Sequence, residues 1–190
     1  EMVRDYALAS GGLLAPRIGG PSVRVRQPVN VWEAVAMPES NTRYYEADTG
    51  DALHRRSLYT FWKRAAPPPV LDVPNAPSRE VCTVRRERTN TPLQALVTLN
   101  DLTFFESAGN LARLACTQAK GAGPDAVAFM AARVLGRPLT AAELEVVNRT
   151  LDGMAAFYRE HPDEARQVLR AGDPERPQAA QAGATNSWRF

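Results

Sequence analysis

The chain has 190 residues and a formal net charge of +2, with 44% apolar and 23% charged residues, a composition typical of a globular protein with a buried core. So small a net charge does not by itself imply nucleic-acid binding, and no apolar run reaches the length of a membrane span. Two cysteines, Cys82 and Cys116, are too few for a zinc cluster or a disulfide scaffold, although a single disulfide or two free thiols both fit the spacing.

The first half of the chain is predicted to be loop-rich, because prolines and glycines concentrate there. Residues 1–10 predict a short helix with Val3, Tyr6 and Ala7 on one face, stopped by two glycines. This opening is typical of the middle of a helix, so we expect a fragment of a larger protein. Residues 31–36 predict one or two helical turns.

A small β element is predicted in the same half. Residues 55–64 carry β-branched and aromatic side chains between charged ends, which favours a strand, and residues 81–84 favour a second short strand. Three prolines at residues 67–69 predict a stiff connection between them. Together they predict a two-stranded element with arginines at its rim.

From residue 89 onward the pattern is helical. Thr91 and Pro92 begin a helix, residues 100–101 begin a second and Pro124 a third. A capping box at residues 140–143 begins a fourth, whose heptad-like seam is predicted to be buried: Leu144, Val147, Leu151, Met154 and Tyr158. A last amphipathic helix is expected from Pro162.

The predicted fold class is mainly α, with a bundle-like C-terminal half and a loop-rich N-terminal half that contains the two-stranded β element. We expect a single domain over residues 1–170, divided into a loop-rich part at 1–88 and a helical part at 89–170. Residues 171–190, rich in Pro, Gln, Ala and Gly, predict a disordered tail.

Residues 78–92 form the only candidate site, because they concentrate four arginines in a short stretch. Arginine at this density suits either recognition of carboxylate, sulfate or phosphate groups, or internal pairing with carboxylates. The candidates for anion binding or domain docking are Arg55, Arg56, Trp62, Arg79, Arg85, Arg86 and Arg88. Structural pairing and helix capping are the alternative roles, assigned to Glu80, Glu87, Thr89, Asn90 and Thr91. Alternating charge signs favour the structural interpretation.

No common catalytic or metal-binding motif occurs in the chain, which leaves the question of catalysis open. His54 stands beside two arginines, where a proton is held weakly if the three groups are close, and His161 precedes a proline in a predicted turn. We expect neither a metal site nor a covalent haem in this chain.

Several runs resemble the C-terminal signature of the domain of unknown function 1553, a planctomycete-type family. These are RRSLYTFWKR at 55–64, APSREVCTVRRERTNTPLQAL at 76–96, GGPSV at 19–23, Trp32-Glu33, and LGRPLT at 135–140. The resemblance covers about residues 1–160. The chain departs from the family pattern at His54, Asn75 and Leu102, where tyrosine, aspartate and proline are usual, and in its last residues.

The resemblance implies an exported protein of the periplasm or cell envelope, with a cytochrome-c-like segment and hence haem upstream in the same polypeptide. The resemblance implies no accepted activity, and our first hypothesis is a non-catalytic structural or interaction module whose partners are those upstream domains. The alternative is an enzyme or binding domain that acts on sulfated or acidic polysaccharide through the arginines. Nucleic acid is disfavoured as a partner, because glutamates are interspersed among the arginines.

Overall fold

The computed structural model describes residues 1–28, 30–121 and 123–172. Its helices are α1 (Met2–Ser10), α2 (Pro69–Asp72), α3 (Pro92–Asn100), α4 (Leu102–Gln118), α5 (Pro124–Leu135), α6 (Ala141–Glu160) and α7 (Pro162–Gly172). Two short 3-10 helices, Gly50–His54 and Ser57–Tyr59, lie between α1 and α2. The prediction of a mainly helical fold is therefore confirmed. The tail predicted over residues 171–190 lies, from residue 173 on, outside the described residues.

The chain divides into two compact units, Glu1–Phe105 and Glu106–Phe190, and the division falls within α4. The first unit contains the loop-rich half with α1, α2 and α3. The second unit contains α5, α6 and α7. The candidate site residues all belong to the first unit.

The predicted two-stranded β element is not supported, since the described residues contain no strand. Backbone pairing is limited to two isolated bridges, from Ala15 to Arg55 and from Val23 to Thr60. The 3-10 helix Ser57–Tyr59 interrupts the extended run at 55–64. Val84 is fully exposed, so residues 81–84 have no buried face to stabilise a strand.

The core of the first unit forms where α2 and the start of α4 meet the extended residues before position 28. Val25, Val70, Leu71 and Phe104 are buried together there. Beside them, Trp32 is buried against Tyr45 and Phe61, with ring centroids 4.7 and 5.6 Å away, and these three rings form the aromatic part of the interior. Burial of these large side chains holds a unit that has little regular structure of its own.

The buried face of α1 differs from the predicted one. Val3 and Tyr6 are about half exposed, whereas Arg4 and Leu8, one turn apart, are fully buried. Arg4 donates to the carbonyl oxygens of Leu53 at 2.5 Å and of Arg55 at 2.9 Å, so α1 is fastened to the two 3-10 helices. This charged side chain can occupy the interior because its Nη atoms donate to backbone oxygens there.

In the second unit, helix boundaries follow local signals. Gly136 ends α5 in the left-handed region with φ of 66°, and Thr140 begins α6 with the predicted capping box. The predicted seam of α6 is only partly buried: Met154 is 54% exposed, while Leu151 and Tyr158 are half-buried. Within the described part of the chain, α6 makes its most numerous helix contacts with α7, which follows it directly. None of the described helices combines the length and apolar character that crossing a membrane requires.

Candidate functional site

Residues 78–91, which we call the arginine segment, run without regular secondary structure from the end of the α2 region to the start of α3. Every residue of this segment is exposed to a substantial degree. Arg79 takes a positive φ of 64°, which turns the chain sharply at the beginning of the segment. Such a segment keeps a fixed course only where side-chain contacts hold it.

Arg79 makes the first of these contacts. Its guanidinium donates to the carbonyl oxygens of Thr60 at 3.0 Å and of Ser57 at 3.2 Å. The guanidinium carbon also lies 5.1 Å from the centroid of the Trp62 ring, within the range of a cation–π interaction. Arg79 thereby fixes the start of the segment to the second 3-10 helix, and Trp62 is its platform.

Glu1 provides the second contact, because its carboxylate bridges two arginines of the segment. One oxygen lies 3.4 Å from Nη2 of Arg79 and the other 2.9 Å from Nη1 of Arg86. The Glu1 side chain is only 15% exposed, so water screens this bridge less than a fully exposed pair. The segment is therefore tied to the beginning of α1 as well.

The end of the segment is held by a polar network around the start of α3. Thr91 and Gln94 form a reciprocal capping box. The Gln94 side-chain amide donates to Thr89 Oγ1 at 2.7 Å and to the Val73 carbonyl at 3.0 Å, and Asn75 donates to the same hydroxyl at 2.6 Å. Asn90, for which the sequence also predicts a pairing or capping role, makes no polar contact with the described residues.

Arg85 and Arg88, unlike Arg79 and Arg86, do not hold the segment in place. Neither makes a hydrogen bond or ion pair within the described residues, and the same holds for Glu87 between them. Glu80 pairs outside the segment, with Nε of Arg64 at 2.9 Å. The segment thus contains two arginines that anchor it and two that are free to meet a partner.

The free arginines line an open cleft of about 660 Å³ in the first unit. Its walls come from the beginning of α1, the residues that follow α2, the arginine segment and one side of α3. The lining residues are Glu1, Met2, Val3, Pro74, Asn75, Val84, Arg85, Arg86, Glu87, Arg88, Thr89, Gln94 and Thr98.

Arg55 and Arg56, the other candidate cations, lie elsewhere in the first unit and differ sharply from each other. Arg55 is 4% exposed and donates to the carbonyl oxygens of Pro21 at 2.9 Å and Gly19 at 2.5 Å. Its guanidinium lies 3.9 Å from the centroid of the Tyr59 ring. Arg56 is 56% exposed, with Nε 4.0 Å from a carboxylate oxygen of Asp5. Neither residue reaches the cleft.

Sequence reasoning missed the parts that Glu1, Arg4 and Asp5 play. Asp5 accepts hydrogen bonds from the backbone nitrogen and hydroxyl of Ser57 at 2.7 and 2.6 Å. The only signal was the spacing of Arg4 and Leu8 on one helical face, and a charged residue at such a position is usually read as exposed. Partners about fifty positions away leave no trace in a local pattern.

The thiols are not joined. Cys82 is exposed in the arginine segment and Cys116 is half-buried in α4, where burial raises the pKa of its thiol. Within the described ranges no group of His, Cys, Asp and Glu is arranged to hold a metal ion.

Comparison with known proteins gives one family. Residues 1–151 match the model of a family described as PSD1, a protein of unknown function (DUF1553). No curated protein and no solved structure matches the chain.

Proposed function

We propose that this chain, which belongs to the PSD1 family of proteins of unknown function (DUF1553), is a non-catalytic interaction module that docks another part of its own polypeptide. The observation that carries the proposal is that the four arginines of the arginine segment fall into two pairs with different surroundings. Arg79 and Arg86 hold the segment against the body of the first unit, while Arg85 and Arg88 are left without partners among the described residues.

A held but exposed segment is suited to binding. Because its backbone is already fixed at both ends, a partner need order little more than the free side chains, which lowers the entropic cost of association. Val81 and Val84 are exposed in the same segment, and Leu93 and Leu96, which follow it in α3, are each more than half exposed. Aliphatic surface next to free arginines is typical of a protein-binding face.

The residues around the cleft favour binding over catalysis. Its described lining contains no histidine, cysteine or serine, the side chains that most often supply a general base or a nucleophile near neutral pH. Its polar groups without a partner among the described residues are the guanidinium groups of Arg85 and Arg88, which stay protonated and bind anions, and the carboxylate of Glu87 between them.

The setting that we propose follows the family resemblance. The intact protein is exported to the periplasm or cell envelope, and its upstream part contains a cytochrome-c-like segment that carries the haem. The upstream domains are then the partners that the arginine segment meets.

Hydrogen exchange of the intact polypeptide and of this chain alone tests the proposal. We expect amides of residues 81–88 to exchange more slowly in the intact protein, because docking covers them. Arg85→Glu should remove that protection, whereas Arg149→Glu on α6 in the second unit should leave it unchanged. Equal exchange of residues 81–88 in the two forms would contradict docking by this segment.

A second candidate function is the binding of sulfated or acidic polysaccharide. Three arginines on one open cleft favour it, since sulfate and carboxylate groups suit guanidinium forks. The chain should then be retained on immobilised dextran sulfate at physiological salt. An Arg85→Ala, Arg88→Ala double variant that keeps its helical circular dichroism should no longer be retained. Equal retention of both proteins would rule this candidate out.

A further inference from the structure

We infer that the cleft beside the arginine segment binds an acidic peptide with aliphatic side chains. This inference rests on the proposed docking function and specifies the chemistry of the partner. It follows from the charge of the cleft, from its apolar surface and from the donors that remain free.

The charge of the cleft fits a ligand with few negative charges. Arg85, Arg86 and Arg88 line it together with Glu1 and Glu87, so the lining has one net positive charge. The Glu1 carboxylate already bridges Arg79 and Arg86. A highly charged polyanion would meet both glutamates, whereas one or two carboxylates can pair with Arg85 and Arg88 alone.

The apolar surface of the cleft is aliphatic. Met2 and Val84 are largely exposed and Val3 is about half exposed, and all three line the cleft. No aromatic ring is part of the described lining, so a sugar ring would find no flat apolar face to stack on. Valine, leucine or isoleucine side chains of a peptide would bury against these residues.

Apart from Glu87, the remaining polar side chains of the described lining already make hydrogen bonds. Asn75 donates to Thr89, Gln94 donates to Thr89 and Val73, and the Thr98 hydroxyl donates to backbone oxygens of its own helix. A sugar needs many free donors and acceptors for its hydroxyl groups. The described cleft instead offers two free guanidinium groups beside aliphatic surface, which match acidic and aliphatic side chains in a peptide.

A labelled synthetic peptide that alternates aspartate with valine tests the inference by fluorescence anisotropy with the whole chain. Two further probes replace its aspartates by asparagine or its valines by serine. We expect the first peptide to bind, and each replacement to weaken binding at least about tenfold. Arg85→Ala with Arg88→Ala, and separately Val84→Ser, should weaken binding of the first peptide similarly. Arg149→Ala should not change it.

Other outcomes overturn the inference in distinguishable ways. Undiminished binding of the serine peptide would show that aliphatic contacts play no part. Binding of oligogalacturonate or dextran sulfate through Arg85 and Arg88, with no peptide bound, would replace the peptide by a polysaccharide. If no probe binds while residues 81–88 are protected in the intact polypeptide, the inferred partner chemistry is wrong and docking still stands. If that protection is also absent, both fail.

Discussion

Replacing Arg55 by alanine removes the side chain that fastens the loop at residues 17–21 to the 3-10 helices. The guanidinium donates to the carbonyl oxygens of Pro21, Gly19 and Arg17, at 2.9, 2.5 and 3.3 Å, and stacks on Tyr59. Because these oxygens belong to exposed residues, water reaches them once the guanidinium is gone. The free energy of unfolding therefore falls less than it would if these oxygens stayed buried without a donor.

The magnitude follows from these contacts. A hydrogen bond from a charged donor contributes about 1.5–3 kcal/mol, and three of them with the stacking would exceed about 5 kcal/mol without compensation. Rehydration of the loop oxygens offsets part of this, as does removal of the Arg55 Nε, which is buried without a hydrogen-bond partner. We expect the free energy of unfolding to fall by about 3 kcal/mol. Arg55→Lys, which keeps the charge but not the planar fork, should lose about half as much.

Urea unfolding followed by tryptophan fluorescence measures the effect, since Trp32 and Trp62 both lie in the first unit. Arg56→Ala is the matched control, because this neighbour is 56% exposed and its carboxylate contact is 4.0 Å long. Its removal should change the free energy of unfolding by no more than about 0.5 kcal/mol. Equal shifts of the urea midpoint for the two variants would refute the argument that carbonyl contacts of a buried guanidinium hold this loop.

Three further outcomes are expected. Thr91→Ala should lower the free energy of unfolding by about 1 kcal/mol in the same urea assay through loss of the α3 capping box, whereas Thr98→Ala within α3 should not lower it. Hydrogen bonds from Arg137 and Thr140 lower the pKa of the Glu143 carboxyl to about 2. The ionised carboxylate therefore stabilises the fold above the ordinary pKa of 4.5, and this stabilisation is lost as pH falls toward 2. A carboxyl-carbon NMR titration should show a midpoint near this lowered pKa, and Arg137→Met should raise that midpoint. Burial raises the pKa of Tyr45 to about 12 from 10, so stability should fall as pH rises between these values, and a late phase in the ultraviolet titration should disappear in Tyr45→Phe.

The helices were predictable because their signals are local. Thr91 and Thr140 cap the helices that they were predicted to begin, and Gly136 ends α5 in the left-handed conformation that glycine adopts without strain. The β element was not supported, because β-branched residues favour a strand only where a partner and a buried face exist. Residues 81–84 have neither in the described structure.

The amino-acid composition located the candidate site, but it did not show which arginines are anchored and which are free. Four arginines in residues 78–92 marked the segment, and nothing in the sequence distinguished Arg79 from Arg85. The tertiary structure separates them, because Arg79 faces Trp62 and two carbonyl oxygens while Arg85 faces an open cleft. The contacts that anchor Arg79 come from residues about twenty positions upstream and from Glu1, 78 positions away.

By itself, the sequence determined the helical class, the starts of α3 and α6 and the place of the arginine segment, since each depends on neighbouring residues. Only the tertiary structure decided that Arg4 and Arg55 are buried, that Glu1 bridges two arginines, and that Arg85 and Arg88 remain free in the described part of the chain. Backbone oxygens converge on the guanidinium groups of Arg4 and Arg55, and that convergence is produced by chain folding over many tens of residues.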